Sequence, residues 1–216
     1  MRLTSLVAFL PLFYPLVSAS ELPTPLDAPI PGYRIWSPEW EFEVSPNKTI
    51  TTRGTVEEAY ALARQHNPNL DAEYLTPTLA EAQRELELDA AATTLNRLNK
   101  RWARKKVYCN TKRWSPVDMF TARRLVNNVM KMNGRPTLGP GKGECGRVSC
   151  HNGGGLWWCN DNLNTKTLSD YKELSQGANI VIAECATDAF GSGVRVKGQA
   201  FNNANWNVII RKDGGC

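Results

Sequence analysis

Alternation of apolar and polar positions is clearest near the C-terminus. Val194, Val196 and Ala200 alternate with Arg195, Lys197 and Gln199, and Trp206, Val208 and Ile210 resume the period after Asn202-Asn203-Ala204-Asn205. This predicts a hairpin. A second hairpin is predicted over Gly146–Cys150 and Leu156–Cys159, joined by the glycine-rich stretch His151-Asn152-Gly153-Gly154-Gly155.

Helical periods lie between these strands. Ser115-Pro116-Val117-Asp118 has the chemistry of a helix start, with Phe120, Leu125, Val126 and Val129 turned inward, Arg123, Arg124, Asn127 and Lys131 left wet, and Gly134 as a stop. Thr167-Leu168-Ser169-Asp170 predicts a second short helix with Leu168, Tyr171 and Leu174 on one face and Gly177 past its end, followed by a strand over 178–185. The order helix, strand, strand, helix, strand, strand, strand predicts an α+β fold, a two-layer sandwich of helices on a mainly antiparallel sheet.

The N-terminal part reads differently. Residues 1–19 combine Arg2, an apolar run from Leu3 to Val17 and the small-residue exit Val17-Ser18-Ala19, which predicts an export signal cleaved after Ala19. The prolines between Glu21 and Pro46 suit an extended, poorly packed linker. Thr55 with Glu58, and Thr78 with Glu81, have the spacing of capping boxes and predict two helices. Asn47-Lys48-Thr49 is a glycosylation sequon.

Charge and cysteine divide the chain at one place. Residues 20–101 carry 8 Lys/Arg against 13 Asp/Glu, and residues 102–216 carry 17 against 8. All six cysteines, Cys109, Cys145, Cys150, Cys159, Cys185 and Cys216, lie in the second part, and an even count behind an export signal predicts three disulfides with any of 15 pairings. The dibasic pair Lys100-Arg101 stands at the junction and resembles a site for kexin-type proteases of the fungal secretory pathway. The organisation expected is therefore a signal over 1–19, an acidic prosegment over 20–101 that could mask a basic partner, and a basic disulfide-rich domain over 102–216. Reduction should unfold that domain, because a core of this size is small.

Candidate chemistry is sparse. Outside the prosegment the sole histidine is His151, which with Glu144 and Arg147 could serve a small metal-independent ribonuclease. Asn160-Asp161-Asn162-Leu163-Asn164 lacks the ligand spacing of a calcium loop and reads as an Asx-rich turn. Zinc spacing, a serine nucleophile elbow and a phosphate loop are all missing, so neither a metal nor another cofactor is expected. The candidate binding surface is cationic and aromatic. It comprises Arg104, Lys105, Lys106, Lys112, Arg113, Arg123 and Arg124, with one of the adjacent Trp157 and Trp158 exposed by strand alternation.

The stretches 144–150 (ECGRVSC), 156–162 (LWWCNDN) and 198–210, from Gly198-Gln199-Ala200-Phe201 to Trp206-Asn207-Val208-Ile209-Ile210, resemble small secreted cysteine-rich proteins of filamentous fungi. More loosely, the strand, helix, glycine and strand sequence with its closing hairpin is similar to killer-toxin-like and necrosis-inducing effector families. That resemblance implies a non-enzymatic, monomeric secreted effector or toxin. Its partner would be a host or competitor protein, a cell wall or a membrane surface, with entry into host cells one route and nucleic acid a less favoured target. Alternatives are the ribonuclease using His151 and a cationic antimicrobial or cell-wall-binding module.

Overall fold

A computed structural model describes residues 26–71, 102–189, 191 and 193–216, without the side chains of 103–105. The fold is α+β. Three helices and mostly antiparallel sheets make up the described residues, cross-linked by Cys109–Cys185, Cys145–Cys159 and Cys150–Cys216. The strands are β1 (Arg34–Ile35), β2 (Glu39–Ser45), β3 (Lys48–Arg53), β4 (Trp102–Tyr108), β5 (Val117–Asp118), β6 (Arg135–Leu138), β7 (Glu144–His151), β8 (Gly154–Asn160), β9 (Lys166–Thr167), β10 (Ala186–Asp188), β11 (Val194–Val196), β12 (Gly198–Asn202) and β13 (Trp206–Lys212). The helices are α1 (Val56–His66), α2 (Met119–Met130) and α3 (Lys172–Cys185).

The main sheet has the order β1-β7-β8-β13-β12-β4, parallel only between β1 and β7. Both expected hairpins are present: β7–β8 turns on Asn152-Gly153, both at positive φ as a two-residue turn needs, and β12–β13 turns on residues 203–205. Trp158, Trp206, Val208 and Ile210 join the buried core with Leu125, Val126 and Val129 of α2 and Leu174, Ala178 and Val181 of α3. Two smaller sheets, β10-β11-β5 and β3-β2-β6-β9, flank this body.

Residues 26–46 overturn the expectation of a poorly packed linker over 21–46. Trp40, Phe42 and Val44 alternate along β2 with exposed Glu41 and Glu43, and all three are buried in the same core as the α2 and α3 side chains. β2 pairs with β3 on one side and β6 on the other, and the indole of Trp40 stacks on Tyr171 at 5.4 Å. The prolines fall outside the ladder, Pro38 before β2 and Pro46 in the β2–β3 turn, where a missing amide proton breaks no strand pairing. Gly146 has no Cβ because Pro38 and the Trp36 carbonyl would meet it at 2.4 and 2.7 Å, so this glycine lets the N-terminal chain lie against β7.

α1 opens with the expected capping box at Thr55 and Glu58. The helix expected at Thr78 and the dibasic pair lie outside the described residues.

Helix boundaries differ from expectation at three places, and α3 opens at Lys172 behind Tyr171 instead of at the Thr167-Asp170 cap, because Thr167 is taken up by β9 pairing with β6. α2 starts three residues late, because Val117 and Asp118 pair with β11, and Asp118 is the cap. Hydrogen bonds from the Thr121 amide and hydroxyl hold its carboxyl below the usual range. Phe120 consequently points out and is 73% exposed, about 140° around the helix from buried Leu125 at 100° per residue. The predicted strand over 178–185 is instead the second half of α3, whose buried residues Leu174, Ala178, Val181 and Cys185 keep helical spacing. Gly177 does not stop that helix. A Cβ there would stand 2.1 Å from Cη2 of Trp102, so the missing side chain seats the indole against the helix.

Candidate functional site

Strand register builds one row of side chains on the sheet face away from α2 and α3. Arg147, Trp157, Ile209, Gln199 and Tyr108 are successive partners across β7, β8, β13, β12 and β4. Half of this face is covered. Trp114, Cys145, Trp157, Cys159 and Ile209 form a second buried cluster, closed over by Ile30 and Tyr33 of the N-terminal strap. The Trp114 indole donates to the Pro29 carbonyl at 2.8 Å, which pins strap and loop together.

Among the described residues, the β12–β4 half stays open as a cleft of about 710 Å³, lined by residues 107–114 and Gln199. Three ties fix its wall. Cys109 is bonded to Cys185 at the end of α3, Trp114 is locked under the strap, and Lys197 Nζ donates to the Thr111 and Trp114 carbonyls at 2.9 Å each. The wall is thus ordered before any ligand arrives, which lowers the entropy lost on binding.

The lining presents an aromatic edge and two cations. Tyr108 is 54% exposed and meets Phe201 edge to face at 5.7 Å. Lys112 and Arg113 are exposed and form no ion pair among the described residues. Arg113 also borders a 320 Å³ cavity under the strap, shared with Asp27 and Arg211.

A polar chain runs from the cleft floor to the strap. Gln199 Nε2 donates to Asn207 Oδ1 at 2.9 Å, Asn207 Nδ2 donates to Asp161 Oδ2 at 2.9 Å, and the Tyr33 hydroxyl donates to Asp161 Oδ1 at 2.6 Å. Burial, and then the hydrogen bond and charge of Asp161, push the Tyr33 hydroxyl up to about 12. The chain satisfies groups that would otherwise be stranded beneath the strap. It also accounts for part of the Asn-rich stretch: Asp161 holds Tyr33 and Asn207, while Asn160 Oδ1 accepts from the Asn162 amide as an Asx turn.

No family model matches the chain, and neither a curated protein nor a solved structure matches it.

Of the residues expected from sequence, Lys112 and Arg113 line the cleft and Lys106 lies exposed on the adjoining β4. The side chains of Arg104 and Lys105 lie outside the described residues. Arg123 and Arg124 are exposed on α2, which packs on the opposite face of the sheet, so the cationic cluster is divided between two sides of the molecule.

The tryptophans are a correction. Trp157 and Trp158 do point to opposite faces, yet both are fully buried, because the strap closes the second face. Trp157 donates to Asp213 at 3.0 Å and lies 5.2 Å from the Arg211 guanidinium. Trp102, Trp114 and Trp206 are buried too, so the exposed aromatics among the described residues of this domain are Phe120 on α2 and Tyr108 beside the cleft.

The ribonuclease residues are not brought together. His151 ends β7 at the hairpin turn, and Glu144 begins the same strand about 23 Å away at strand rise. Glu144 is nearly inaccessible, bound to Arg34 at 2.8 Å and to the Gly141 amide at 2.9 Å, while Arg147 reaches Asp213 and the Gly215 carbonyl. Asn47 is exposed in the β2–β3 turn. Residues 26–71 do not line the 710 Å³ cleft, although Asp27 shares the neighbouring cavity with Arg113 and Arg211.

Tyr108, Gln199 and Lys197 were missed by composition-based reasoning. Their signal is period two: Tyr108 is the outward residue of Lys106-Val107-Tyr108, and Lys197 and Gln199 are polar partners of Val196 and Ala200.

Proposed function

We propose that the chain is an exported, disulfide-locked recognition protein, built as a two-layer sandwich, that acts as an effector or toxin on a host or competitor target. The observation that carries this reading is the pre-ordered cleft at β4, where Lys112 and Arg113 stand without ion-pair partners among the described residues, beside exposed Tyr108. Charges held in a fixed wall but left unneutralised favour a partner that brings the opposite sign. The target surface is therefore acidic, whether on a protein, a cell wall or a membrane.

Three disulfides fit an extracellular protein. In this reading the export signal leaves after Ala19, and a kexin-type protease cuts after Lys100-Arg101. The product works as a single copy, without self-association, outside the producing cell or after entry into a host.

The test is genetic. A producing strain that lacks the gene is complemented with the wild type or with the K112E/R113E variant, and both host infection and microbial competition are scored. The expected result is that K112E/R113E is secreted and folded normally but restores neither trait. Full restoration of a wild-type trait by K112E/R113E would overturn the assignment of the cleft.

A further inference from the structure

We infer that cleavage behind Lys100-Arg101 does not release residues 26–71 but leaves them bound without a covalent link, as one chain of a two-chain protein. This inference rests on the processing step proposed above. Residues 26–71 hold no cysteine, so after the cut no bond ties them to the disulfide-linked part.

Three kinds of contact would hold them. The first is backbone pairing, β1 on β7 and β2 on β6, which continues two sheets across the junction between the parts. The second is shared core. Trp40, Phe42, Val44, Val56, Ala59 and Ala63 are buried in one cluster with side chains of α2, α3 and β8. The third is a half-buried polar clamp from α1. The Glu57 carboxylate accepts from the Ser149 hydroxyl, from Asn128 Nδ2 at 2.8 Å and from the Cys150 amide at 3.2 Å. Ser149 is fully buried, so departure of α1 would take away its partner.

Release would also undo the second face. Without the strap, Trp157, Ile209 and the Cys145–Cys159 bridge lose the cover of Ile30 and Tyr33, and the Trp114 indole loses Pro29. Burying that apolar surface again would require another partner, whereas the segment is already in place. The acidic segment is in this sense a structural subunit, not a removable mask.

The experiment uses full-length protein in which a site-specific protease sequence replaces Leu98–Arg101. After cutting, two bands are expected on a non-reducing denaturing gel, while size exclusion and native mass spectrometry retain both pieces at one to one. The melting temperature of the cut protein should fall by roughly 3–5 °C per tenfold dilution, and that of the uncut protein should stay constant, because only the former dissociates on unfolding. Separation of the 26–71 piece at micromolar concentration, whether the remainder stays soluble or precipitates, would overturn the inference. Denaturing mass spectrometry of naturally secreted protein tests the processing step by itself: an uncut mass refutes that step, while the engineered cut still decides retention.

Discussion

Gly177→Ala places two general effects in opposition. Alanine is favoured over glycine inside a helix by about 1 kcal/mol, so on propensity alone the substitution should stabilise α3. The site forbids it. The new Cβ would stand 2.1 Å from Cη2 and 2.5 Å from Cζ2 of Trp102, against an ordinary carbon contact of about 3.5–4.0 Å. Helix or indole must therefore move by about 1.4 Å. Neither is free to do so: Trp102 is buried and packs edge to face on Trp206 at 4.8 Å, while α3 is fixed at its end by Cys109–Cys185.

Overpacking of this kind costs about 1–3 kcal/mol, which exceeds the propensity gain. Set against the gain of about 1 kcal/mol, this leaves a net loss of up to about 2 kcal/mol, which lowers the melting temperature by up to about 4–8 °C, readable by calorimetry or circular dichroism. In a Trp102→Leu background the clash is gone, so the same substitution should become neutral or stabilising, and the double-mutant cycle reports the coupling. A higher melting temperature for G177A in the wild-type background would refute the close packing of helix on indole.

Other outcomes follow from individual contacts. Glu57→Ala leaves buried Ser149 without its acceptor and should destabilise the protein by about 2–4 kcal/mol in urea titration, with Glu57→Gln losing less. Because the folded Tyr33 hydroxyl titrates at about 12 and an unfolded one at about 10, the folded state holds that proton more tightly. Its contribution is complete below pH 10 and is lost as pH rises toward 12, so the denaturation midpoint should drop between pH 9 and 11 by more in the wild type than in Tyr33→Phe. Phe120→Ser should change stability by no more than about 0.5 kcal/mol, since the ring is exposed; a loss above about 2 kcal/mol would mean that the ring faces the core as periodicity suggests.

The sequence was informative where local pattern and burial agree. The β7–β8 and β12–β13 hairpins, the capping box at Thr55 and the buried stripe Leu125, Val126 and Val129 all follow from period and cap chemistry, because each depends on neighbours close along the chain. Long-range packing was not legible. Gly177 looks like a helix stop until Trp102 is seen against it, and one of Trp157 and Trp158 looks exposed until the strap is laid over the second face with Ile30 and Tyr33.

Proline content concealed β2 for the same reason. The alternation of Trp40, Phe42 and Val44 with Glu39, Glu41 and Glu43 was present in the sequence, but flanking prolines suggested an extended tether. At the cleft, Lys112 and Arg113 were visible as charge. Lys197 and Gln199 were not, since their roles exist only once β12 stands beside β4 and the 109–114 loop.

The central claim is that residues 26–71 and the disulfide-linked part fold as one unit. Amide hydrogen exchange on the full chain tests it most directly, by comparing peptides covering 39–45 and 154–160. Protection of both to the same opening free energy is the predicted result, because β2 and β8 contribute to one core. Exchange of 39–45 within seconds while 154–160 stays protected would contradict it.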